Sequence, residues 1–567
     1  MAGKPLRYGL TLAALLWLAS CEPVQLQPLG ETGTAAPATP PTLSDTETQA
    51  VGRQPAATPG ADPLPQDSYR EWSTVELEFS GPQSQLAGGG PNPFLIDLAV
   101  EFLGPEEQSY LVPGFYAGDG HGGQDGGTWR VRFTPDQSGS WRYRTESDAA
   151  LLDGISGDFE VHPAPACPPY LPGDLPDFQC LGRLIHRGGS YLSFPDGSFW
   201  LKGGVDDPED FLAVGQNAGF PSKEAAIDFL AEQGINSIYI MLNNVGGDGR
   251  NVWPWLGENE RQAIQQHESF DVLRLDAWEA LFRHIQARGI VLHLVLEDDS
   301  GWTGFDRPLY YREMVARFGH HNGLIWNLSE EYNENYSAAQ VMEFAAMLSE
   351  LDSYGHPIAV HHAGSTRAWE PFLSDPHISV TSFQTGRQPQ NESAVAWAGR
   401  VRESGGEKVI SYDETGRLAT GERELARQIV WSIYLAGGNF ELHTAPLRSY
   451  RDFADQFDDL SRARWYLEGL PFCQMVPANE LVLSGGGYAF ALPGEAYVVY
   501  LPSGGEVELD LSGTALTYVA EWFDPGSGQL SSEVTIQGGA AVALESPFAR
   551  DSVVGLRAAE GLSTACR

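Results

Sequence analysis

Lysine is almost missing from this chain. Four of the 567 residues are Lys (Lys4, Lys202, Lys223 and Lys408), and arginine brings the cationic total only to 35, against 75 Asp and Glu. The formal charge of -40 argues against a nucleic-acid partner, because phosphates would be repelled and not neutralised. It argues against an anionic membrane surface for the same reason. Cysteine is also scarce, with five residues and no C-x-x-C pair, so a zinc knuckle is not expected. No H-E-x-x-H is present, which removes the zincin type of metalloprotease. The pairs His320-His321 and His361-His362 are adjacent residues, which on a strand point to opposite faces and cannot share an ion. No metal and no cofactor is expected. What the chain has in quantity is aromatic residues, at 11%, in a length that calls for three or four domains.

The first 20 residues read as an export signal. Lys4 and Arg7 precede an apolar stretch, Leu10 to Leu18, that is too short to span a bilayer. It runs into Leu18-Ala19-Ser20-Cys21, which resembles the bacterial lipoprotein box. The resemblance implies lipidation at Cys21, and Glu22 beside it favours an outer-membrane destination, with a lipid anchor as the only membrane contact. Residues 21–68 follow as a tether: Glu22 to Asp67 carries nine prolines and no aromatic residue, too little apolar surface to order the chain. Its coil-like reach is roughly 40 Å. In an oxidising compartment the four remaining cysteines imply two disulfides. Of three connectivities, Cys167–Cys180 and Cys473–Cys566 is favoured, one closing a Pro-rich connector and the other tying the ends of the last domain.

Residues 69–163 alternate short period-2 runs with Gly-rich turns, as in Val75-Glu76-Leu77-Glu78-Phe79 and Trp129-Arg130-Val131-Arg132-Phe133, which predicts a β-sandwich. After a connector at 164–182, the pattern over 183–470 becomes alternating strands and helices. Candidate strands are 199–204, 237–242, 290–296, 324–328, 357–361, 378–383, 408–412 and 439–443. Asp276 with Glu279 predicts a capped helix ending at Gly289, and Ser337 with Gln340 opens another. Eight such units point to a central (β/α)8 TIM barrel. An open doubly wound sheet is the alternative, but neither G-x-G-x-x-G nor a P-loop follows the first strand. Residues 471–567 return to short β runs, a small all-β domain.

Barrel chemistry sits at the C-terminal ends of the strands. Two apolar strands run into acids there: Leu324 to Leu328 into Ser329-Glu330-Glu331, and Lys408 to Tyr412 into Asp413-Glu414. Paired carboxylates on opposite sides of a cleft are what a retaining glycosidase needs, one to protonate the leaving oxygen and one to attack the anomeric carbon. The run Trp326-Asn327-Leu328-Ser329-Glu330-Glu331 resembles the strand-four signature of clan A glycoside hydrolases. That resemblance implies Glu331 as acid/base and Glu414 as nucleophile. Within the clan the barrel resembles the apiosidase-like group, through Trp200-Leu201-Lys202-Gly203-Gly204, Tyr311-Arg312-Glu313 and Arg317 to Asn322. Asn92-Pro93-Phe94 and Pro113 to Tyr116 resemble a β-sandwich module that precedes such barrels. Val498 to Pro502 and Trp522 to Pro525 resemble a collagen-binding-type β domain.

One position departs from the clan. An Asn that bonds the sugar 2-hydroxyl often precedes the acid/base, and here Glu330 stands in its place. Glu331 is favoured as the acid over Glu330, which either contacts the sugar or carries the acid role itself. Around the rim, Asp298 and Trp302 after strand three are candidates for a sugar hydroxyl and ring face. Trp253 and Trp255 are further stacking candidates, equally suited to loop packing. Asn243 and Asn244 offer amides after strand two, while Tyr412 and Asp413 beside the nucleophile are candidate substrate contacts, Asp413 rather as a partner behind Glu414 or an inward barrel residue than as the nucleophile itself. Asp206, after strand one, and His443, at the end of strand eight, are candidates to line the pocket, equally suited to structural roles. The expected function is hydrolysis of a plant or algal polysaccharide or its oligosaccharides. A non-catalytic carbohydrate- or matrix-binding surface lipoprotein is the alternative.

Overall fold

The structure, a computed structural model, describes residues 68–86, 91–206, 210–247, 252–405, 407–444, 449–562 and 566. The signal at 1–20, Cys21 and the tether lie outside the described residues. Among the described residues no helix is long and apolar enough to cross a membrane.

The N-terminal β domain has two sheets. Five strands run in the order Ser68–Arg70, Ser156–His162, Gly139–Ser147, Leu98–Leu103, Ser109–Pro113, and three in the order Val75–Ser84, Gly126–Phe133, Phe115–Tyr116. Period-2 alternation puts Phe102 and Trp141 of one sheet against Phe133 of the other, with ring centroids 4.2 and 5.0 Å apart.

Eight parallel strands then close the barrel: Gly203–Asp206, Ser237–Met241, Val291–Val295, Leu324–Asn327, Ile358–His361, Ile378–Gln384, Ser411–Glu414 and Asn439–His443. The expected first strand at 199–204 is split. Phe199–Trp200 pairs antiparallel with Leu192–Ser193, and the barrel strand begins only at Gly203. Glycine is required there, since a Cβ on Gly204 would lie 2.6 Å from the Glu441 side chain and 2.8 Å from Ser237 Cβ. The seventh strand starts later than expected, at Ser411, so Asp413 and Glu414 belong to the strand and do not follow it. The helix expected from Asp276 begins a turn earlier, at Val272, because Asp271 accepts a hydrogen bond from the Arg274 N–H at 3.0 Å and caps it. At Ser337 the capping box with Gln340 is present.

The barrel centre holds charge. Lys202 Nζ lies 2.8 Å from Asp413 Oδ1 and 3.1 Å from Glu441 Oε2, with Ser411 Oγ at 3.3 Å and His293 Nδ1 at 3.2 Å, all buried. Burial works against the ammonium, but Asp413 and Glu441 outweigh it and hold its pKa above the ordinary lysine value. Removing one partner of a buried pair strands the other charges. Lys202→Met is therefore expected to cost about 3–5 kcal/mol, seen as a lower urea midpoint with an unchanged slope.

Both β domains are joined to the barrel by buried arginines. Arg317 donates to Tyr116 O at 2.8 Å, and Arg427 pairs with Asp551 at 2.8 and 2.9 Å. The C-terminal domain contains a six-stranded sheet in the order Val476–Pro477, Tyr488–Leu492, Ala496–Leu501, Ser552–Ala558, Thr517–Phe523, Val534–Gln537 and a three-stranded one in the order Val482–Ser484, Glu506–Asp510, Ala541–Glu545. Disulfides join Cys167 to Cys180 and Cys473 to Cys566.

Candidate active site

The C-terminal rim of the barrel opens into a narrow cleft lined by Met241, Asn244, Asp299, Glu330, Glu331, Glu414 and Arg417. Glu331 and Glu414, 83 positions apart in sequence, meet across it. The Gln384 amide nitrogen is 2.5 Å from Glu331 Oε1 and 2.8 Å from Glu414 Oε2. Two oxygens bonded to one nitrogen at those lengths lie within about 5.3 Å of each other, compatible with the roughly 5–5.5 Å separation of a double-displacement pair. Gln384 Oε1 accepts from the Gly364 N–H at 2.9 Å, which fixes the amide with its nitrogen toward the carboxylates.

Local structure sets each group. Glu414 ends the seventh strand, in register with Gln384 on the sixth. Glu331 is held in the left-handed region, at φ 33°. That conformation is costly for a residue with a Cβ, and such strain tends to collect at functional sites. His361, at the end of the fifth strand, points its Nε2 between Glu330 at 3.4 Å and Glu414 at 3.3 Å. His443 Nδ1 lies 3.3 Å from Glu414 Oε1, and its Nε2 is 3.4 Å from Arg417 Nε. Glu330 also accepts a hydrogen bond from Tyr239 Oη.

These surroundings push the two carboxyls apart. Burial raises the Glu331 pKa above the ordinary value, and the Glu414 charge adds to it, outweighing the Gln384 hydrogen bond and the His361 charge. Burial opposes ionisation of Glu414 too, but hydrogen bonds and charge from His361 and His443 reverse the sign and hold it well below the usual range. His361 itself is pushed up to about 9, since Glu330 and Glu414 outweigh its burial. One carboxyl held toward its protonated form beside one held ionised is an acid and nucleophile division of labour.

The sequence-expected residues divide into those in the cleft and those outside it. Glu330, Glu331, Glu414 and Asn244 line it, and His443 touches Glu414 from behind. Asp206, at 3.9 Å from His443, stands one step further out. Asp413 does not reach a substrate, because strand alternation turns it into the barrel centre onto Lys202. Tyr412 turns the other way, packing on Phe383 with its hydroxyl donating to Ser393 Oγ at 3.0 Å. Trp255 is fully buried between Trp302 and Tyr310, and Trp253 lies under the Arg274 guanidinium, so both are loop packing. Trp302 is half-buried, edge-on to Trp255. Asn243 is fully buried, and among the described residues neither of its amide atoms finds a hydrogen-bond partner.

Asp298 is buried and accepts from Ser300 Oγ at 2.7 Å; its neighbour Asp299 is the one that lines the cleft. Burial lifts the Asp298 pKa to about 7. A carboxyl with a raised folded pKa stabilises fully below its unfolded value, and that contribution is lost as pH rises through 7. Asp298→Asn keeps the hydrogen-bond acceptor and removes the titration. It is expected to melt a few degrees above the parent at pH 8, with little difference at pH 4.

Sequence reading missed His361, Gln384, Tyr239 and Arg417. The first two end strands five and six, so the strand-end rule that singled out strands four and seven covers them as well. The other adjacent pair is also not as expected: His320 and His321 follow a helix instead of lying on a strand, and both rings approach Glu279, at 3.1 and 3.2 Å. The Arg132 and Arg283 guanidiniums face the same carboxylate, at 3.6 and 2.5 Å.

A closed eight-stranded parallel barrel with a β domain before and after it is the class this chain's fold defines. The sequence model of a domain of unknown function, DUF5060, matches residues 68–148. Among solved structures the chain is similar to a candidate glycoside hydrolase from Bacteroides vulgatus, with TM-score 0.68 and 17% identity over 87% of this chain and 100% of that one. It is also similar to a glycoside hydrolase family 5 protein from the same organism, with TM-score 0.55 and 15% identity over 69% and 95%. A third, described as a glycoside hydrolase, has TM-score 0.53 and 14% identity over 69% and 99%. At these identities the likeness is one of fold. No curated protein matches the chain.

Proposed function

We propose that the protein is a retaining glycoside hydrolase acting on a plant or algal polysaccharide or its oligosaccharides. The observation that carries this reading is the single Gln384 nitrogen bonded to both Glu331 and Glu414. In the first step the protonated Glu331 gives its proton to the glycosidic oxygen, the C–O bond breaks, and the Glu414 carboxylate attacks the anomeric carbon to form an ester. In the second, Glu331, now ionised, takes a proton from water, whose oxygen displaces Glu414 and releases the sugar. His361 and His443 keep Glu414 ionised between turnovers. Glu330, where the clan has an amide, accepts a hydrogen bond from a sugar hydroxyl in place of donating one.

The test is product stereochemistry on a panel of neutral glycans, followed by proton NMR from the first seconds of reaction. The initial product is expected to keep the anomeric configuration of the substrate; inversion would overturn the double displacement. Glycan binding with no turnover on any substrate would favour the carbohydrate-binding alternative. The proposal places the protein as an exported lipoprotein anchored through Cys21 at the outer membrane. Cys21→Ser should move it from the membrane fraction to the soluble one.

A further inference from the structure

A second, shallow groove lies at the opposite end of the barrel. One wall is the connector at Gly173 to Leu175. Another is the turn Ala231 to Gly234, just ahead of the N-terminal end of the second strand, and the floor is the helix Ala454–Glu468. Trp465 on that helix presents its indole to the groove with 43% of its surface exposed. A single exposed apolar residue is ordinary. What distinguishes this one is the construction around it.

The walls are fastened from beneath. The fully buried Arg464 donates through Nη2 to Gly173 O at 2.8 Å and Gly234 O at 3.0 Å, and through Nη1 to Asp174 O at 3.1 Å. Glu468 accepts from the Gly173 N–H at 2.7 Å and pairs with Arg464 at 3.1 Å. Both wall glycines are close fits. A Cβ on Gly173 would sit 3.1 Å from Trp465 Cδ1, and one on Gly234 would meet Ser461 Oγ at 2.2 Å. The Cys167–Cys180 disulfide closes the connector on either side of Gly173. The groove is therefore formed before any ligand arrives, so little ordering entropy opposes binding.

Its chemistry selects the occupant. An aromatic surface rimmed by hydroxyl- and amine-accepting groups, with Asp174, Glu232 and Asp458 against Arg462 alone, suits an uncharged polyhydroxylated chain and repels an anionic one. We infer that this groove is a second, non-catalytic binding site for a neutral polysaccharide, which holds the polymer while the cleft at the other end acts on it. The ligand class rests on the hydrolase reading; the site itself does not.

The test is native gel electrophoresis of the full chain through gels containing xylan, arabinan or agar galactan, with polygalacturonate as the anionic control. All variants are made in the Glu414→Gln background as well as in the parent. The parent should be retarded by at least one neutral polymer and not by polygalacturonate. Trp465→Ala should lose that retardation at least fivefold in both backgrounds, Trp465→Tyr should retain most of it, and turnover of a small aryl glycoside by Trp465→Ala should stay within twofold. Equal retardation of Trp465→Ala and parent, retardation by polygalacturonate alone, or none by any polymer would overturn the site. Should Trp465→Ala lose its fold, Glu232→Gln with Asp458→Asn on the walls gives the same readout. If no substrate is turned over but retardation still depends on Trp465, the groove stands and the hydrolase reading falls.

Discussion

Glu414→Gln is expected to lower kcat by about 10⁴–10⁶-fold, as removal of a covalent nucleophile does elsewhere, while leaving substrate binding in place. The amide has the shape of the carboxylate but cannot form the glycosyl ester, so the first displacement has no attacking group. Its effect extends to its neighbours. His361 is pushed up to about 9 chiefly against its burial, by Glu330 and Glu414 together. With Glu414 neutral, the His361 pKa is expected to fall, which imidazole NMR titration can follow. Binding of oligosaccharide by calorimetry, alongside the lost turnover, separates a missing nucleophile from a damaged cleft. A variant retaining more than a tenth of parental kcat would remove Glu414 from the reaction.

The second large effect belongs to Glu331, and it depends on the leaving group. Glu331→Gln should cost about 10²–10⁴-fold on natural linkages, where the departing oxygen needs a proton. On a dinitrophenyl glycoside, whose leaving group needs none, formation of the glycosyl-enzyme should be nearly unchanged. Its hydrolysis then becomes slow, because no base activates water, so an adduct of one sugar on Glu414 should accumulate in the mass spectrum. Azide, which needs no base, should release it as a glycosyl azide of retained configuration. The pH profile carries the same assignment. In the proposed mechanism Glu331 works protonated, and burial sets its pKa above the ordinary carboxylate value, so kcat/KM is expected to fall as pH rises through that raised value. Glu414 works ionised and is held well below the usual range, so the acid limb lies at unusually low pH. Loss of the basic limb in Glu331→Gln is the expected result. If Glu330→Gln removes it instead, Glu330 is the acid.

The legible part of this site was local. An apolar strand that runs into acids can be seen in a few residues, and Glu330, Glu331, Asp413 and Glu414 were singled out that way; the roles of Glu331 and Glu414 came from the clan A resemblance. The residues that tune them were not local. Gln384 meets Glu414 only because strands six and seven align at those positions, and His361 reaches Glu414 only because the barrel closes around it. Tyr412 was misplaced for a related reason, while Asp413 is the inward barrel residue that was one of the two readings expected of it. The expected strand ended at Tyr412, whereas the observed strand continues to Glu414, and alternation along it sends Tyr412 to the helices and Asp413 to Lys202. Trp253 and Trp255 have the composition of sugar platforms, but in the folded chain their rings are covered by Arg274, Trp302 and Tyr310.

From its sequence alone the chain sets the order of its modules, the closed barrel and which two strand ends carry the acids, because periodicity, caps and strand-end chemistry act over a few residues. Tertiary structure decides which of two adjacent glutamates shares an amide with Glu414, in which direction each carboxyl's pKa moves, and where an indole stays exposed. Those depend on burial and on distances of a few ångströms between segments tens to hundreds of residues apart. Only the closed barrel and its packed β domains set such distances.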